Sequence, residues 1–202
     1  MFMDTTAIFK VSYGLYILTA KDGEFDNGCV INTFAQQASN PMTVSVTVNK
    51  MNKTCEMIQK TGVFNVSVIS ENAPFSLFEH FGFYSGKDCN KFADYPNSDR
   101  AVNGVYYIPG YTNAYFGCEV IEAVDMGTHV MFVAKLTEAE NLTDFASMTY
   151  AFYHANVKPQ PQPAQKQGYR CKICGYVYEG ETLPEDFVCP LCKHGAVDFE
   201  KV

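Results

Sequence analysis

Two short cysteine pairs near the C-terminus constrain this chain more than any other feature. Cys171-Lys172-Ile173-Cys174 is followed by 14 residues and then by Cys189-Pro190-Leu191-Cys192. Each pair sets two thiolates on one tight turn, and two such turns can surround a single ion tetrahedrally. Only 34 residues, 169–202, accompany the site. So short a stretch cannot build a self-sufficient apolar core, and a bound metal must supply much of its folding energy. The spacing alone admits either a zinc ribbon or an iron centre with four cysteine ligands.

The 202-residue chain divides ahead of this module. Residues 157–168 read VKPQPQPAQKQG. Alternating Pro and Gln offer no apolar face to offset ordering entropy, and Pro keeps such a segment extended. The expected organisation is a domain over 1–156, a semi-stiff tether over 157–168 and the metal module over 169–202. The other four cysteines, Cys29, Cys55, Cys89 and Cys118, are scattered singly. In a chain that opens MFMDTTAIFK, with no apolar leader, they are expected to be buried small hydrophobes rather than disulfide partners.

The first 156 residues carry strand patterning. Val44, Val46 and Val48 alternate with Thr43, Ser45 and Thr47; Phe64, Val66 and Val68 alternate with Asn65 and Ser67. Tyr13–Thr19, Val105–Ile108, Cys118–Ile121 and Val130–Leu136 are further β-rich stretches. This count predicts a sheet closing into a barrel, which removes edges. Helices are predicted to be few and short. One covers Lys53–Thr61, with Asn52 as N-cap and Gly62 past the end. A second starts near Asn72 with Pro74 in its first turn, and a third covers Leu142–Ala146.

Charge excludes some functions. The net charge is −7, with no run of Lys or Arg, so nucleic acid is not the expected partner. No stretch approaches the ~18 apolar residues of a membrane helix. The expected location is the cytoplasm.

The residues flanking the cysteines narrow the metal. Tyr169, Tyr176, Tyr178, Phe187 and Phe199 place aromatic rings beside the site. Together with Cys174-Gly175-Tyr176-Val177-Tyr178, Leu183-Pro184-Glu185-Asp186-Phe187 and Cys189-Pro190-Leu191-Cys192, the segment resembles rubredoxin. The resemblance implies one iron ion held by Cys171, Cys174, Cys189 and Cys192, cycling between two oxidation states. One departure is Lys193, where the family usually has Gly. A glycine there eases a positive φ, and His194-Gly195 is expected to shift the turn by one residue.

The N-terminal part has its own signature. Asn32-Thr33-Phe34 precedes Pro41 and the Val44–Val48 strand. Asn49-Lys50-Met51-Asn52-Lys53-Thr54 then opens a helix, whose free amides and dipole favour an anion. Gly62-Val63-Phe64-Asn65-Val66-Ser67-Val68 follows, then Phe81 ahead of Ser85-Gly86-Lys87-Asp88, with Lys91-Phe92 next. This order resembles the flavin reductase-like family over roughly residues 5–150. The resemblance implies a mainly β fold, an FMN-binding split β-barrel with short helices, assembled as a homodimer.

Carried over by position, Asn32, Thr33, Phe34 and Ala35 line the isoalloxazine, and Gln36, Ala38 and Ser39 continue that wall. Asn49, Lys50, Asn52 and Thr54 hold the ribityl phosphate. His80, Phe81 and Lys87 stand near the flavin or its tail. No catalytic side-chain set stands out, and His129 and His154 receive no role. With a flavin in place none is needed, since the cofactor carries the redox chemistry.

A flavin that takes electrons in pairs, joined to an iron that takes them singly, makes a two-to-one electron splitter. The whole arrangement resembles the high-molecular-weight rubredoxins. It implies electron flow from NAD(P)H through FMN to Fe(Cys)4. It further implies a diiron flavoprotein acceptor that reduces nitric oxide or oxygen. Two alternatives stand beside it: a non-enzymatic carrier reduced by another protein, and a flavin barrel with a structural zinc ribbon.

Overall fold

The computed structural model describes residues 3–159 and 168–202. The chain forms two compact units, Met1–Lys158 and Pro159–Val202. Most of the Pro/Gln segment, residues 160–167, lies outside the described residues. Its first residue, Val157, closes a π-helical turn over Tyr153–Val157.

The larger unit is built on a seven-stranded antiparallel sheet. Its strands are β1 (Tyr16–Asp22), β2 (Phe25–Ile31), β3 (Ala35–Ser39), β4 (Met42–Asn49), β5 (Val63–Ile69), β8 (Thr112–Asp125) and β9 (His129–Asn141). Between them β6 (Asp99–Arg100) and β7 (Tyr106–Tyr107) pair as a separate small hairpin. The sheet order is β2-β1-β5-β8-β9-β4-β3. Among the described residues no ladder joins β2 to β3, so the predicted removal of edges is not met: the sheet keeps two edges and the barrel is a split one. All five residues of β3 are exposed.

Side chains alternate across the strands and feed two cores. Leu18, Val44, Val46, Val48, Phe64, Val66 and Phe132 belong to the first. Helix α1 (Lys53–Thr61) adds Cys55, Met57 and Ile58 to it. Ile17, one residue from Leu18, instead joins Ile69, Phe78, Phe81, Phe92 and Ile108 in the second core. There α2 (Phe75–Phe78) runs on into a π-helical turn over Glu79–Phe83.

Helix α1 has the expected bounds. Gly62 takes φ 71° at its C-cap, and its amide donates to Ile58 O. Pro74 caps α2 rather than sitting in its first turn. The expected helix over Leu142–Ala146 is absent. Its backbone is taken by tertiary bonds instead: Leu142 N donates to Asn113 O at 2.7 Å, and Ala146 O accepts from Glu71 N at 2.9 Å. The third helix, α3 (Tyr150–Phe152), lies later, with Thr149 accepting from Phe152 N. Three of the single cysteines are buried as expected, but Cys89 is exposed.

The smaller unit is a three-stranded sheet in the order β11 (Val177–Tyr178), β10 (Tyr169–Cys171), β12 (Phe199–Lys201). Phe187 packs between Tyr178, at 4.7 Å, and Phe199, at 5.3 Å edge-on. This tilted and edge-on aromatic cluster is the ring packing of the unit, with Tyr176 also 6.4 Å from Phe187. No helix among the described residues is long and apolar enough to cross a membrane.

Candidate metal centre and flavin site

In the smaller unit the two cysteine turns are near-copies of each other. Gly175 N donates to Cys171 O at 2.9 Å, and Lys193 N donates to Cys189 O at 2.9 Å. The residue after each pair is left-handed: Gly175 at φ 82° and Lys193 at φ 63°. The turn is therefore not shifted onto Gly195, which has φ −79°. Lys193 itself adopts the conformation that favours glycine, so this knuckle carries backbone strain.

The four Sγ atoms lie within 4.8 Å of one another. Cys171 and Cys192 sulfurs are 3.5 Å apart, as are those of Cys174 and Cys189. A tetrahedral ion with metal–sulfur bonds of about 2.3 Å requires sulfurs about 3.8 Å apart, so the donor set fits one ion. Burial raises the Cys171 thiol, while the neighbouring Cys192 sulfur and then burial raise Cys174. Four thiolates this close need a cation among them. Cys171 and Cys189 are buried, and Cys174 and Cys192 are partly exposed. The second cysteine of each pair therefore carries the centre toward solvent.

In the larger unit the residues expected to hold a flavin separate into groups. β3 presents Ala35, Gln36, Ala38 and Ser39 on an open edge, with a bulge between Gln36 and Ala38. Asn32 and Thr33 are half-buried just before it. The Thr33 hydroxyl donates to Thr47 O at 2.7 Å and accepts from Thr47 N, which pins this loop to β4. Phe34 turns inward, between Tyr16 and Phe116, with both ring centroids 5.2 Å away. It supports the wall from behind.

The start of α1 forms the second group. Asn52 is the N-cap but makes no side-chain capping bond, which leaves first-turn amides open to a ligand. Asn49 Oδ1 accepts from Met51 N at 2.8 Å. Lys50 Nζ pairs with Asp125 at 2.7 Å, and this cation holds the Asp125 carboxyl below its ordinary range. Glu56 is likewise lowered, first by Lys53 and further by Lys87. Lys87 is thus close enough to Glu56 on α1 to act on its charge. Thr54 does not face this site. It is fully buried beside the Cys29 thiol, and its Oγ1 finds no oxygen or nitrogen partner.

Phe81 and His80 form a third group away from the helix start. Phe81 is fully buried in the second core, against Phe92 and Tyr95. His80 stacks on Tyr95 at 4.9 Å, and its Nε2 lies 2.6 Å from Lys91 O. With Pro74, Leu77, Tyr95, Asn97 and Tyr111 it lines a cavity of about 270 Å³.

Two residues that the sequence left without a role are placed at these groups. His129 opens β9 directly opposite Asn49 on β4, and Lys50 N donates to the neighbouring Thr128 O at 3.1 Å. Lys91 is only 4% exposed, and its ammonium donates to Gly28 O at 2.8 Å and Phe81 O at 2.9 Å. It bolts the turn bearing His80 to β2.

Residues 8–159 match the flavin reductase like domain, and residues 169–200 match the rubrerythrin, rubredoxin-like domain. The chain belongs to the flavin reductase-like family, and a rubredoxin-like module follows the barrel. A high molecular weight rubredoxin of Moorella thermoacetica is 37% identical over 230 aligned residues, covering 99% of this chain and 100% of that protein. A ferric-chelate reductase (NAD(P)H) of Archaeoglobus fulgidus is 35% identical over 152 residues, 75% of this chain and 89% of that one. Among solved structures, the NADH:FAD oxidoreductase SgcE6 of Streptomyces globisporus, in complex with NAD and FAD fragments, aligns with a TM-score of 0.65 at 18% identity. It covers 79% of this chain and 92% of that one, a likeness of fold. In this family context the barrel is a flavin-binding domain, and Cys171, Cys174, Cys189 and Cys192 are the ligands of one iron ion.

Proposed function

We propose that the chain is an oxidoreductase passing electrons from NAD(P)H through FMN to Fe(Cys)4 and on to a protein acceptor. One observation carries this reading. A single chain holds both a flavin reductase-like barrel with an open edge and helix start, and a closed four-thiol centre. When bound, FMN takes electrons in pairs from a nicotinamide, and the iron takes them singly.

The protein's own groups then have defined tasks. Amides at the α1 start, with Lys50, Lys53 and Lys87, attract the flavin phosphate. Lys50 must exchange Asp125 for that phosphate, since the two are paired at 2.7 Å. Asn32 and Thr33 and the open edge of β3, from Ala35 to Ser39, offer backbone and side-chain groups to the ring. Asn49 and Asn52 flank the ribityl chain. Thr54 and Phe81 act from the core, His129 lies beside Asn49 at the helix-start end, and His80 lines its own cavity with Tyr95 and Tyr111. Around the iron, Tyr178, Phe187 and Phe199 limit access of water.

The rest of the reading follows from this core. The organisation is a barrel over 1–156, a tether over 157–168 that raises the effective concentration of one centre near the other, and the module over 169–202. The acceptor is a diiron flavoprotein that reduces nitric oxide or oxygen. A homodimer is supported by the open β3 edge and the exposed Met42, Met51, Ile121 and Met126. Four cysteines outside the metal centre, none in a disulfide, suit a reducing cytoplasm. The test is anaerobic mixing of the purified protein with NADH or NADPH. The flavin band is expected to bleach first and the iron band after it. If neither band changes with either nucleotide, the enzymatic reading fails.

A further inference from the structure

The charges of the smaller unit are segregated. No Asp or Glu occurs in residues 171–175 or 188–195, whereas four carboxylates fall between Glu179 and Asp186. The cysteine turns instead carry Lys172 and Lys193, both exposed. Lys193 directly follows Cys192, one of the two partly exposed ligands. The Asp198 backbone carbonyl accepts from Lys172 N at 2.8 Å, and Lys172 Nζ donates to Val197 O at 3.3 Å. Glu200 is paired with Arg170. Beside the lysines the surface is apolar, with Val188 54% and Leu191 39% exposed. An apolar patch with a basic rim, next to the exposed ligands, has the anatomy of a docking face.

We propose that this face docks an acidic surface patch of a redox-partner protein, with Lys172 and Lys193 as the residues that select its charge. The inference rests on the reading of the module as an electron exit. It deepens that reading by fixing the partner's chemistry. The chain carries −7 before metal binding, and four thiolates around a ferrous ion add −2 at the centre, so both the diffuse field and the centre repel an acidic partner. Attraction must come from this local face acting within about one Debye length, roughly 8–10 Å.

The test uses the full-length, iron-loaded protein reduced with dithionite, so it does not depend on nicotinamide. One electron passes from the ferrous centre to either of two small oxidants, ferricyanide or hexaamminecobalt(III). The reaction is followed at the iron's own visible band over a range of salt. The ferricyanide rate is expected to fall with salt despite the negative chain. The double variant Lys172→Gln/Lys193→Gln should lower it roughly five- to tenfold at low salt and less than twofold at high salt. The hexaamminecobalt(III) rate should not fall in the variant. A ferricyanide rate that rises with salt and is unchanged in the variant overturns the proposal.

A second measurement needs no electron transfer. In the zinc-substituted full-length protein, hexacyanochromate(III) should broaden the amide resonances of residues 172–175 and 191–194. Broadening elsewhere, with these amides untouched, rejects the face. Absence of an iron band in the purified protein would count against the proposed function, and the zinc-form measurement would still decide the docking face.

Discussion

Replacing Lys91 by Met tests whether a buried cation organises the barrel's second core. Its ammonium is enclosed and makes two bonds, to Gly28 O and Phe81 O, at 2.8 and 2.9 Å. Methionine fills similar volume but leaves both carbonyls without a donor. Each orphaned carbonyl costs about 1–3 kcal/mol. The offset comes from no longer desolvating an ammonium and from burying an apolar group worth about 2 kcal/mol. The net expectation is a loss of about 2–3 kcal/mol, or roughly 5–10 °C in melting temperature for a chain of this size. The chain has no tryptophan, so tyrosine circular dichroism is the suitable probe.

The same residue has a pH signature with a definite sign. Burial lowers the Lys91 pKa below its ordinary value of 10.5. Between the folded pKa and 10.5 the unfolded chain therefore binds more protons than the folded one. Wild-type stability should rise with pH through that window, and the Met variant should lack the rise. The gap between the two proteins is then constant at neutral pH and widens on the approach to pH 10.5. A variant as stable as wild type at pH 7 would refute the reasoning, because it would mean that ammonium desolvation outweighs both bonds.

Three further substitutions or treatments probe other parts of the molecule. A Cβ at Gly86 would overlap the buried Asn27 amide, so Gly86→Ala should cost about 1–3 kcal/mol in urea unfolding and weaken FMN binding through displacement of Lys87; an unchanged midpoint would mean that the loop simply moves aside. Lys193→Gly removes a left-handed cost of about 1–2 kcal/mol and adds about 0.5–1 kcal/mol of unfolded-state entropy, so metal-loaded protein should gain up to about 1 kcal/mol, and a loss would contradict the strain. Burial pushes the Cys118 thiol up to about 12 and Cys55 to about 11, so iodoacetamide at pH 8 should modify Cys89 alone in native metal-loaded protein, as read by mass spectrometry.

What was legible in the sequence was local. The metal site could be read because its four ligands come from two turns, each fixed by four consecutive residues. Helix α1 could be read because Asn52 and Gly62 bracket it, and β4 because its valines alternate. The missing helix at Leu142–Ala146 shows the limit, since bonds to Asn113 and Glu71, 29 and more residues away, override a local preference. His129 was hidden for the same reason. Its place opposite Asn49 is set by β4–β9 register across 80 residues of chain. The Lys50–Asp125 pair spans 75.

The phosphate site shows a different kind of error, one that the sequence could have prevented. Asn49, Lys50, Asn52 and Thr54 are assigned to the phosphate by their position in the family resemblance, and all four are polar residues around a helix start. Helical spacing does not support Thr54 among them. Thr54 lies three and four residues before Met57 and Ile58, which are buried on the core side. It therefore shares their face, and its hydroxyl turns toward Cys29. Lys53 and Glu56 fall on the other face, where their side chains pair at 2.7 Å. In the proposed site, anion recognition at this helix would then fall to the Thr54 backbone amide and the lysines around it rather than to the Thr54 hydroxyl. Removing the hydroxyl with Thr54→Val should then leave FMN affinity within about twofold, since the buried hydroxyl faces the Cys29 thiol rather than the proposed ligand. Lys87→Gln should weaken affinity several-fold at low salt and less at high salt, because that interaction is between charges. Fluorescence titration with FMN measures both, and a large loss in the Thr54 variant with Lys87→Gln unchanged would return the phosphate to the hydroxyl.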